Sequence, residues 1–247
     1  MGKKISIIQG DARNERLCAL LQGDGHQAQL FGMEQAEGAA SWGDIIVLPV
    51  KGVSSQSMNG LLTDNQILVE GQDFLCREDF SVLNSIPTVE GALEIALREM
   101  PRTLHKARVL SIGYGRIGKL LCRTLSALGA EVSGTARRDE HFAWMETAGI
   151  HPLHTHRLEG ALGQFDAVFN TVPHMVLPYA RLRELPPGCV IIDLASSPGG
   201  VDFKAAERLG IRCHWALSLP GKCAPESAAV YMLKTLYRIL EERGAAL

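Results

Sequence analysis

The chain has 247 residues, which is enough for one large domain or two modest domains with their own hydrophobic cores. Its hydrophobic fraction of 46%, charged fraction of 21% and net charge of −2 are ordinary for a soluble globular protein. They give no reason to expect nucleic acid or an acidic membrane surface as a partner. Apolar runs are too short for a membrane span or a signal peptide. The six scattered cysteines, without a C-x-x-C pair, favour reduced cytosolic thiols over disulfides or zinc.

The first hundred residues alternate strand and helix patterns, which predicts a parallel sheet with covered faces. Strands are predicted over residues 3–10, 27–31, 44–49 and 66–69, with a further candidate at 82–86. Residues 87–100 are predicted to form one helix, because Pro87 suits the first helical position and Glu90 lies in the first turn. We interpret this helix as the rod that joins two domains.

The most informative stretch runs from Arg108 to Arg138. A short apolar strand leads into Gly113-Tyr114-Gly115-Arg116-Ile117-Gly118, a G-x-G-x-x-G, and an amphipathic helix and a second strand follow. This is the order of a dinucleotide-binding βαβ unit. Gly113 would permit the tight turn, Gly115 the approach of a pyrophosphate, and Gly118 the close packing of helix on strand. The alternative is a glycine-rich turn in a domain without a ligand.

The end of the second strand of this unit indicates which cofactor is used. NAD sites usually carry an acidic residue there, whereas this chain has Gly134-Thr135-Ala136-Arg137-Arg138. Because a guanidinium binds phosphate oxygens in pairs, the two arginines favour the 2′-phosphate of NADP(H). We therefore assign Thr135, Arg137 and Arg138 to the cofactor site with the residues of the glycine-rich motif. For either arginine, the alternative is a solvated surface charge.

Beyond the second strand the α/β rhythm continues to the end of the chain. Strands are predicted over 166–171, 190–194 and 211–217, helices over 140–148 and 202–209, and a short turn or helix over 182–185. A final amphipathic helix, 225–242, is expected to cross back onto the first domain. The predicted fold is α/β, with a Rossmann-type dinucleotide-binding domain and a smaller α/β N-terminal domain joined by a long helix. Residues 1–100 with 224–247 form the N-terminal, substrate domain and 101–223 the NADP-binding domain.

Ligands of doubly wound sheets bind beyond the carboxyl ends of the strands, which selects further candidates. Thr171 and Pro173 are expected to border the nicotinamide, with a plain strand-ending turn as the alternative. Hydroxyls and free backbone N–H groups after the 190–194 strand would form a carboxylate cradle, with Ser196, Pro198, Gly199 and Gly200 as its residues.

Four cations could face a cleft between the domains, namely Arg13, Lys51, Arg116 and Lys222. Two or more of them would suit a substrate with two carboxylates, although each is alternatively a solvated surface charge. Glu90 and His174 are the candidate acid or base groups. The histidines at 151, 154 and 156 fall in a predicted loop without a carboxylate or cysteine partner, so no metal is predicted.

Several strings resemble a known bacterial family, the A subunits of dipicolinate synthase. They lie at residues 8–13, 48–50, 84–91, 113–118, 193–203 and 219–225, so that the resemblance extends over nearly the whole chain. NSIPTVEG and DLASSPGGVDF are more specific than the nucleotide motif. The segments at 30–44 and 71–78 are shorter than is usual in the family, so trimmed elements are expected in the first domain.

The resemblance implies an NADP-dependent oxidoreductase that oxidises a cyclic dihydrodipicolinate, or its hydrated precursor, to dipicolinate. This reaction branches from the lysine pathway and would take place in the cytoplasm of the mother cell during sporulation. The implied partners are the flavoprotein-like B subunit of the synthase and a small dicarboxylate substrate, which we place near Asp11, Arg13 and the Ser196 to Gly200 segment. A homodimer is left open.

Two alternatives remain. The chain could be a non-catalytic NADP(H)-binding or regulatory subunit whose partner does the chemistry, an alternative supported by the lack of an obvious catalytic residue. It could also be a 2-hydroxyacid dehydrogenase, but the Arg-Glu-His set of that class cannot be placed in the sequence.

Overall fold

The structure is a computed structural model that describes residues 2–245. The chain divides into two compact units. The first contains the residues up to Pro87 and those from Pro220 on, and the second contains Thr88–Leu219. The sequence prediction divides the chain at residue 100, after the joining helix instead of near its start.

The first unit contains a four-stranded parallel sheet of order β2-β1-β3-β4. Its strands are β1 Lys4–Ile8, β2 Gln27–Phe31, β3 Ile45–Val47 and β4 Ile67–Val69. Its helices are α1 Ala12–Gly23, α2 Ala36–Trp42, α3 Gly71–Leu75 and α4 Glu78–Leu83, followed by α5 Ser85–Glu99, which continues into the second unit.

The C-terminal helix belongs to the first unit, as predicted. The last helices of the chain are α10 Leu219–Cys223 and α11 Pro225–Glu242. α11 packs on α1 because Met232, Leu236 and Ile239 recur on its apolar face and bury against Leu17 and Leu21. This contact holds residues from the two ends of the chain in one core.

The candidate strand at 82–86 is wrong, because this segment is helical. It contains the end of α4 and the start of α5. Phe80 packs on Phe74 of α3 with ring centroids 5.5 Å apart, while Val82 remains 45% exposed. A strand covered on both faces would bury every side chain. The buried Phe80 and the exposed Val82 instead fit a helix that packs on the core with one face.

The second unit contains a six-stranded parallel sheet of order β10-β9-β8-β5-β6-β7. The strands are β5 Arg108–Ile112, β6 Glu131–Ala136, β7 His151–His154, β8 Ala167–Asn170, β9 Val190–Asp193 and β10 Arg212–Trp215. The helices are α6 Arg116–Ala127, α7 Asp139–Thr147, α8 Tyr179–Leu182 and α9 Phe203–Arg208. The strand order reverses between β5 and β8, so ligands are expected at the carboxyl ends of these strands.

The histidine-rich segment was predicted as a loop, but its first part is the edge strand β7. His151 pairs with Ser133 and His154 with Ala136 in the parallel ladder with β6. An edge strand has one unpaired side, which explains why a strand that contains Pro152 between two histidines is tolerated here. Within residues 2–245, no group of three or more His, Cys, Asp or Glu side chains could hold a metal ion, and no helix is long and apolar enough to cross a membrane.

Candidate functional site

The glycine-rich turn between β5 and α6 requires two of its glycines for steric reasons. Gly113 has a φ of 98°, in the left-handed region, and a Cβ there would lie 2.3 Å from the Thr171 hydroxyl. A Cβ at Gly118 would lie 2.1 Å from the carbonyl oxygen of Gly113. Both distances are far shorter than a van der Waals contact, so the turn and the close packing of α6 on β5 depend on these glycines.

Gly115 differs from the other two, because a Cβ placed on it would meet no atom within 4 Å. Gly115 is also the residue before α6, where no side chain caps the helix, and no acidic residue lies in the first turn. A helix start with open space in front of it and no competing anion fits a pyrophosphate. The residues of this turn therefore fit the diphosphate of a dinucleotide.

Three threonine side chains hold the turn through hydrogen bonds. The N–H of Gly113 donates to the Thr135 hydroxyl at 3.1 Å, and the Thr155 hydroxyl lies 3.1 Å from that same oxygen. Thr171 donates its hydroxyl to the Ile112 carbonyl oxygen at 3.0 Å. Thr135 is fully buried, so its side chain positions the turn and does not face a ligand.

The carboxyl end of β6 carries the two predicted arginines, and both are exposed. Arg138 lies 3.0 Å from Glu140 Oε1 and 3.0 Å from His141 Nε2. Arg137 forms no hydrogen bond or ion pair with any residue in the part of the chain that the structure describes. Of the other predicted cofactor residues, Arg116 and Pro173 are exposed and Ile117 is half-buried.

Sequence reasoning missed a buried polar pair at the ends of β8 and β9. Asn170 and Asp193 are both 0% exposed, and the Asn170 amide donates to Asp193 Oδ1 at 2.8 Å. The same carboxylate accepts from the N–H of Ala195 at 3.0 Å and from the N–H of Gly200 at 2.8 Å. Asp193 thus fixes both ends of the loop at 194–200. Its signal in the sequence was a lone carboxylate at the end of an otherwise apolar strand.

The loop held by Asp193 contains the predicted carboxylate cradle. Ser196 and Pro198 are exposed, whereas Gly199 and Gly200 are buried. The prediction of free N–H groups is wrong for these two glycines, because Gly199 donates to the Ser196 carbonyl oxygen and Gly200 to Asp193, both at 2.8 Å. A Cβ on Gly200 would lie 2.2 Å from the Asn170 amide nitrogen and 2.9 Å from the carbonyl oxygen of His174. The structure therefore brings the two predicted segments together, with the loop after β8 against the loop after β9.

In the first unit, Arg13 is not the free cation that was predicted. It is 6% exposed, and its guanidinium pairs with Asp11, with Nη2 2.7 Å from Oδ2. Burial raises the pKa of Asp11, but the hydrogen bonds and charge of Arg13 outweigh this effect and hold the pKa below its usual value. Both residues are thus engaged in an internal ion pair at the start of α1.

Asn14, next to this pair, was not predicted as a site residue. It is 2% exposed, and its Nδ2 has no hydrogen-bond partner within residues 2–245. A buried amide without an acceptor is energetically costly. Asn14, which lies in α1 just after β1, therefore carries an unused hydrogen-bond donor.

The remaining candidates lie at the surface. Lys51, Lys222, Glu90 and His174 are exposed. In the described part of the chain, the side chains of Glu90 and His174 form no hydrogen bond or ion pair. Neither group is held in a fixed orientation as a poised acid or base.

Comparison with known proteins decides the family. The profile of the family described as D-isomer specific 2-hydroxyacid dehydrogenase, NAD binding domain, matches residues 89–201. The dipicolinate synthase A subunit of Bacillus subtilis (strain 168) is 32% identical over 287 aligned positions, covering 98% of this chain and 97% of the relative. This chain belongs to the family of dipicolinate synthase A subunits.

Two crystal structures agree with this family. The dipicolinate synthase A subunit from Bacillus halodurans has a TM-score of 0.85 at 28% identity, covering 97% of this chain and 98% of that one. The corresponding dipicolinate synthase structure from Bacillus subtilis has a TM-score of 0.83 at 29% identity, covering 99% and 98%. Family membership confirms the predicted α/β fold with a Rossmann-type domain. It also makes the chain an oxidoreductase-family protein with a domain for a nicotinamide dinucleotide.

The alignment to the Bacillus subtilis relative is longer than this chain, with 287 positions against 247 residues. The relative therefore contains segments that this chain lacks.

Proposed function

We propose that this chain is the NADP-dependent subunit of a dipicolinate synthase, and that it oxidises a cyclic dihydrodipicolinate, or its hydrated precursor, to dipicolinate. The observation that carries the choice of cofactor is the exposed Arg137 guanidinium at the end of β6, which has no partner among residues 2–245 and stands where NAD sites usually place an acid. Arg137 and Arg138 would bind the 2′-phosphate, and Gly113, Gly115 and Gly118 would admit the diphosphate. The proposed setting is the cytoplasm of a sporulating mother cell, and the proposed partner is the flavoprotein-like B subunit of the synthase.

The chemistry sets what this chain has to do. Aromatising a dihydropyridine ring removes a hydride from one ring carbon and a proton from a neighbouring atom, and the nicotinamide, when bound, supplies the hydride acceptor. The protein has to hold the ring in the reactive geometry and exclude water. We propose that Thr171 and Pro173 border the nicotinamide, and that Thr135 acts indirectly by supporting the turn.

For the substrate, we propose that Ser196 binds a carboxylate through its hydroxyl, and that Pro198, Gly199 and Gly200 shape the loop around it. The N–H groups of Gly199 and Gly200 already donate to the Ser196 carbonyl oxygen and to Asp193, so they hold the loop and do not bind the ligand. The rigid support from Asp193 favours this role, because a pre-organised loop loses little entropy when it binds. Because Arg13 is paired with Asp11, we propose an indirect role for both residues. They would fix the start of α1, so that the buried Asn14 amide could donate a hydrogen bond to the substrate. His174, beside the Gly200 loop, is the proposed proton acceptor, and Glu90 is the second candidate.

The cofactor assignment is tested by replacing both arginines with alanine. Arg137→Ala with Arg138→Ala should weaken NADP(H) binding by about 1–3 kcal/mol through the loss of charged hydrogen bonds, while NAD(H) binding changes little. Arg137→Ala alone should cause most of the loss, because Arg138 is already paired with Glu140. Titration calorimetry with both cofactors would measure this. Equal or tighter binding of NAD(H) by the wild-type protein would refute the NADP assignment.

A non-catalytic NADP(H)-binding or regulatory subunit remains the second candidate. It is favoured by the side chains of Glu90 and His174, which are exposed and have no hydrogen-bond or ion-pair partner among the described residues 2–245. NADPH formation from enzymatically generated dihydrodipicolinate should be measured for the purified chain, for the flavoprotein-like partner and for their mixture. Activity of the chain alone that is lost in Ser196→Ala and His174→Gln supports catalysis here. Activity in the mixture that neither substitution changes supports the binding role.

A further inference from the structure

His141 lies at the same end of β6 as the two arginines, within the first turn of α7. Its ring packs edge-on against Tyr114 of the glycine-rich turn, with centroids 5.9 Å apart at 63°. Lys119 of α6 places its ammonium 5.9 Å from the centroid of the same tyrosine ring. Lys119 of α6 and His141 of α7 therefore add an ammonium and an imidazole to the region of Arg137 and Arg138.

The polar contacts of His141 connect it to Arg138. His141 Nε2 lies 3.0 Å from Arg138 Nη2 and 3.5 Å from Glu140 Oε1, and the side chain is only 16% exposed. A guanidinium only donates hydrogen bonds, so in this arrangement the imidazole accepts and is neutral. The amino end of α7 has no side-chain cap, although Asp139 and Glu140 lie in its first turn. The case for an anion here therefore depends on the side chains of Arg137, Arg138 and His141 and not on the helix end.

The electrostatic surroundings keep this imidazole neutral without a ligand. The titratable and charged groups facing it are Arg138 and Glu140 beside it, Lys119 on α6 and Tyr114 in the turn. Burial lowers the pKa of His141, Arg138 and Lys119 lower it further, and Glu140 opposes them. A dianion bound among the same cations would raise the pKa of His141 and favour the imidazolium.

We propose that His141 binds the 2′-phosphate of NADP(H) as an imidazolium, becoming protonated as the nucleotide binds, and that it thereby determines cofactor preference together with Arg137 and Arg138. This inference rests on the proposed use of NADP(H). In this proposal, His141 is neutral in the free protein and becomes positively charged only when the 2′-phosphate is bound. Binding of NADP(H) then takes up a proton at His141, whereas binding of NAD(H), which has no 2′-phosphate, does not.

The test compares proton uptake in wild-type protein and His141→Gln. Calorimetric titrations in buffers of different ionisation enthalpy, at pH 7, give the number of protons bound with each cofactor. With NADP⁺, the wild type should take up roughly half a proton more than the variant. Ionisation of the 2′-phosphate itself occurs with both proteins and cancels in the difference. With NAD⁺, the two proteins should agree.

His151→Gln is the matched control, since this exposed histidine begins β7 and so lies at the opposite end of the strands. It should behave as wild type. At pH 6.5, His141→Gln should weaken NADP⁺ about tenfold and leave NAD⁺ unchanged, as expected for one partly exposed charged hydrogen bond.

Two results distinguish a failure of the His141 inference from a failure of the NADP(H) proposal. If the wild type prefers NADP⁺ but proton uptake is the same with and without His141, this inference is wrong while the proposed cofactor stands. If the wild type binds NAD⁺ as tightly as NADP⁺, the cofactor proposal itself fails. Imidazole NMR on the wild-type protein gives an independent reading, because NADP⁺ but not NAD⁺ should raise the titration midpoint of His141.

Discussion

Asp193→Ala is expected to lower the free energy of unfolding by about 3–5 kcal/mol, because it leaves three buried donors without an acceptor. These donors are the backbone N–H groups of Ala195 and Gly200 and one N–H of the Asn170 amide, whose nitrogen also donates to the Val172 carbonyl oxygen. Because both ends of the 194–200 loop are held by this one carboxylate, the loop should also become mobile. Urea denaturation followed by circular dichroism would measure the loss.

Two further substitutions make this prediction specific. Asp193→Asn keeps the size but points an amide donor toward one of the N–H groups, so its loss of stability should lie between those of wild type and Asp193→Ala. Asp202→Ala removes a carboxylate that only caps α9 through the N–H of Ala205, and it should cost about 1 kcal/mol. If Asp193→Ala were no more destabilising than Asp202→Ala, the central role of Asp193 would be wrong.

Gly115→Val should abolish most cofactor binding without destabilising the protein. The backbone at Gly115 is extended, with φ −83° and ψ −160°, which valine adopts readily. A Cβ added at Gly115 would meet no atom within 4 Å, so the valine side chain should fill the open space in front of α6. Both NADP⁺ and NAD⁺ should bind on the order of 100-fold more weakly, the equivalent of a steric penalty of up to about 3 kcal/mol. Calorimetry gives the affinities and thermal unfolding the stability.

Gly118→Ala provides the contrast, since its Cβ would collide with the Gly113 carbonyl oxygen 2.1 Å away. Here the unfolding free energy should fall by about 2 kcal/mol, and weaker binding would follow from the distorted turn. Normal cofactor affinity in Gly115→Val would show that the nucleotide does not pass over this turn.

Features that depend on residues adjacent in the sequence were predicted correctly. The strand–glycine turn–helix order around β5 and α6 follows from short-range periodicity and from the steric needs of the motif. The family resemblance, carried by contiguous strings such as DLASSPGGVDF, was confirmed by the comparisons.

Segments with an ambiguous or polar pattern were the ones predicted wrongly or not at all. Residues 82–86 are apolar enough for a strand but too short for periodicity to distinguish strand from helix. α2 was not predicted because it buries only Ala39 and Ala40, and small residues give little periodic signal. The edge strand β7 escaped prediction because its sequence, HPLH, is short and contains a proline, and because its identity depends on pairing with β6.

The sequence by itself determined the fold class, the nucleotide motif and the family, because these depend on local pattern and on contiguous residues. Only the tertiary structure decided the state of individual groups. It paired Arg13 with Asp11, buried Thr135, and placed His141 beside Arg138. It also joined Asn170 to Asp193, which are far apart in the chain but end adjacent strands. Charge pairing, burial and hydrogen bonding are set by distances in space, which strand order fixes and local sequence does not contain.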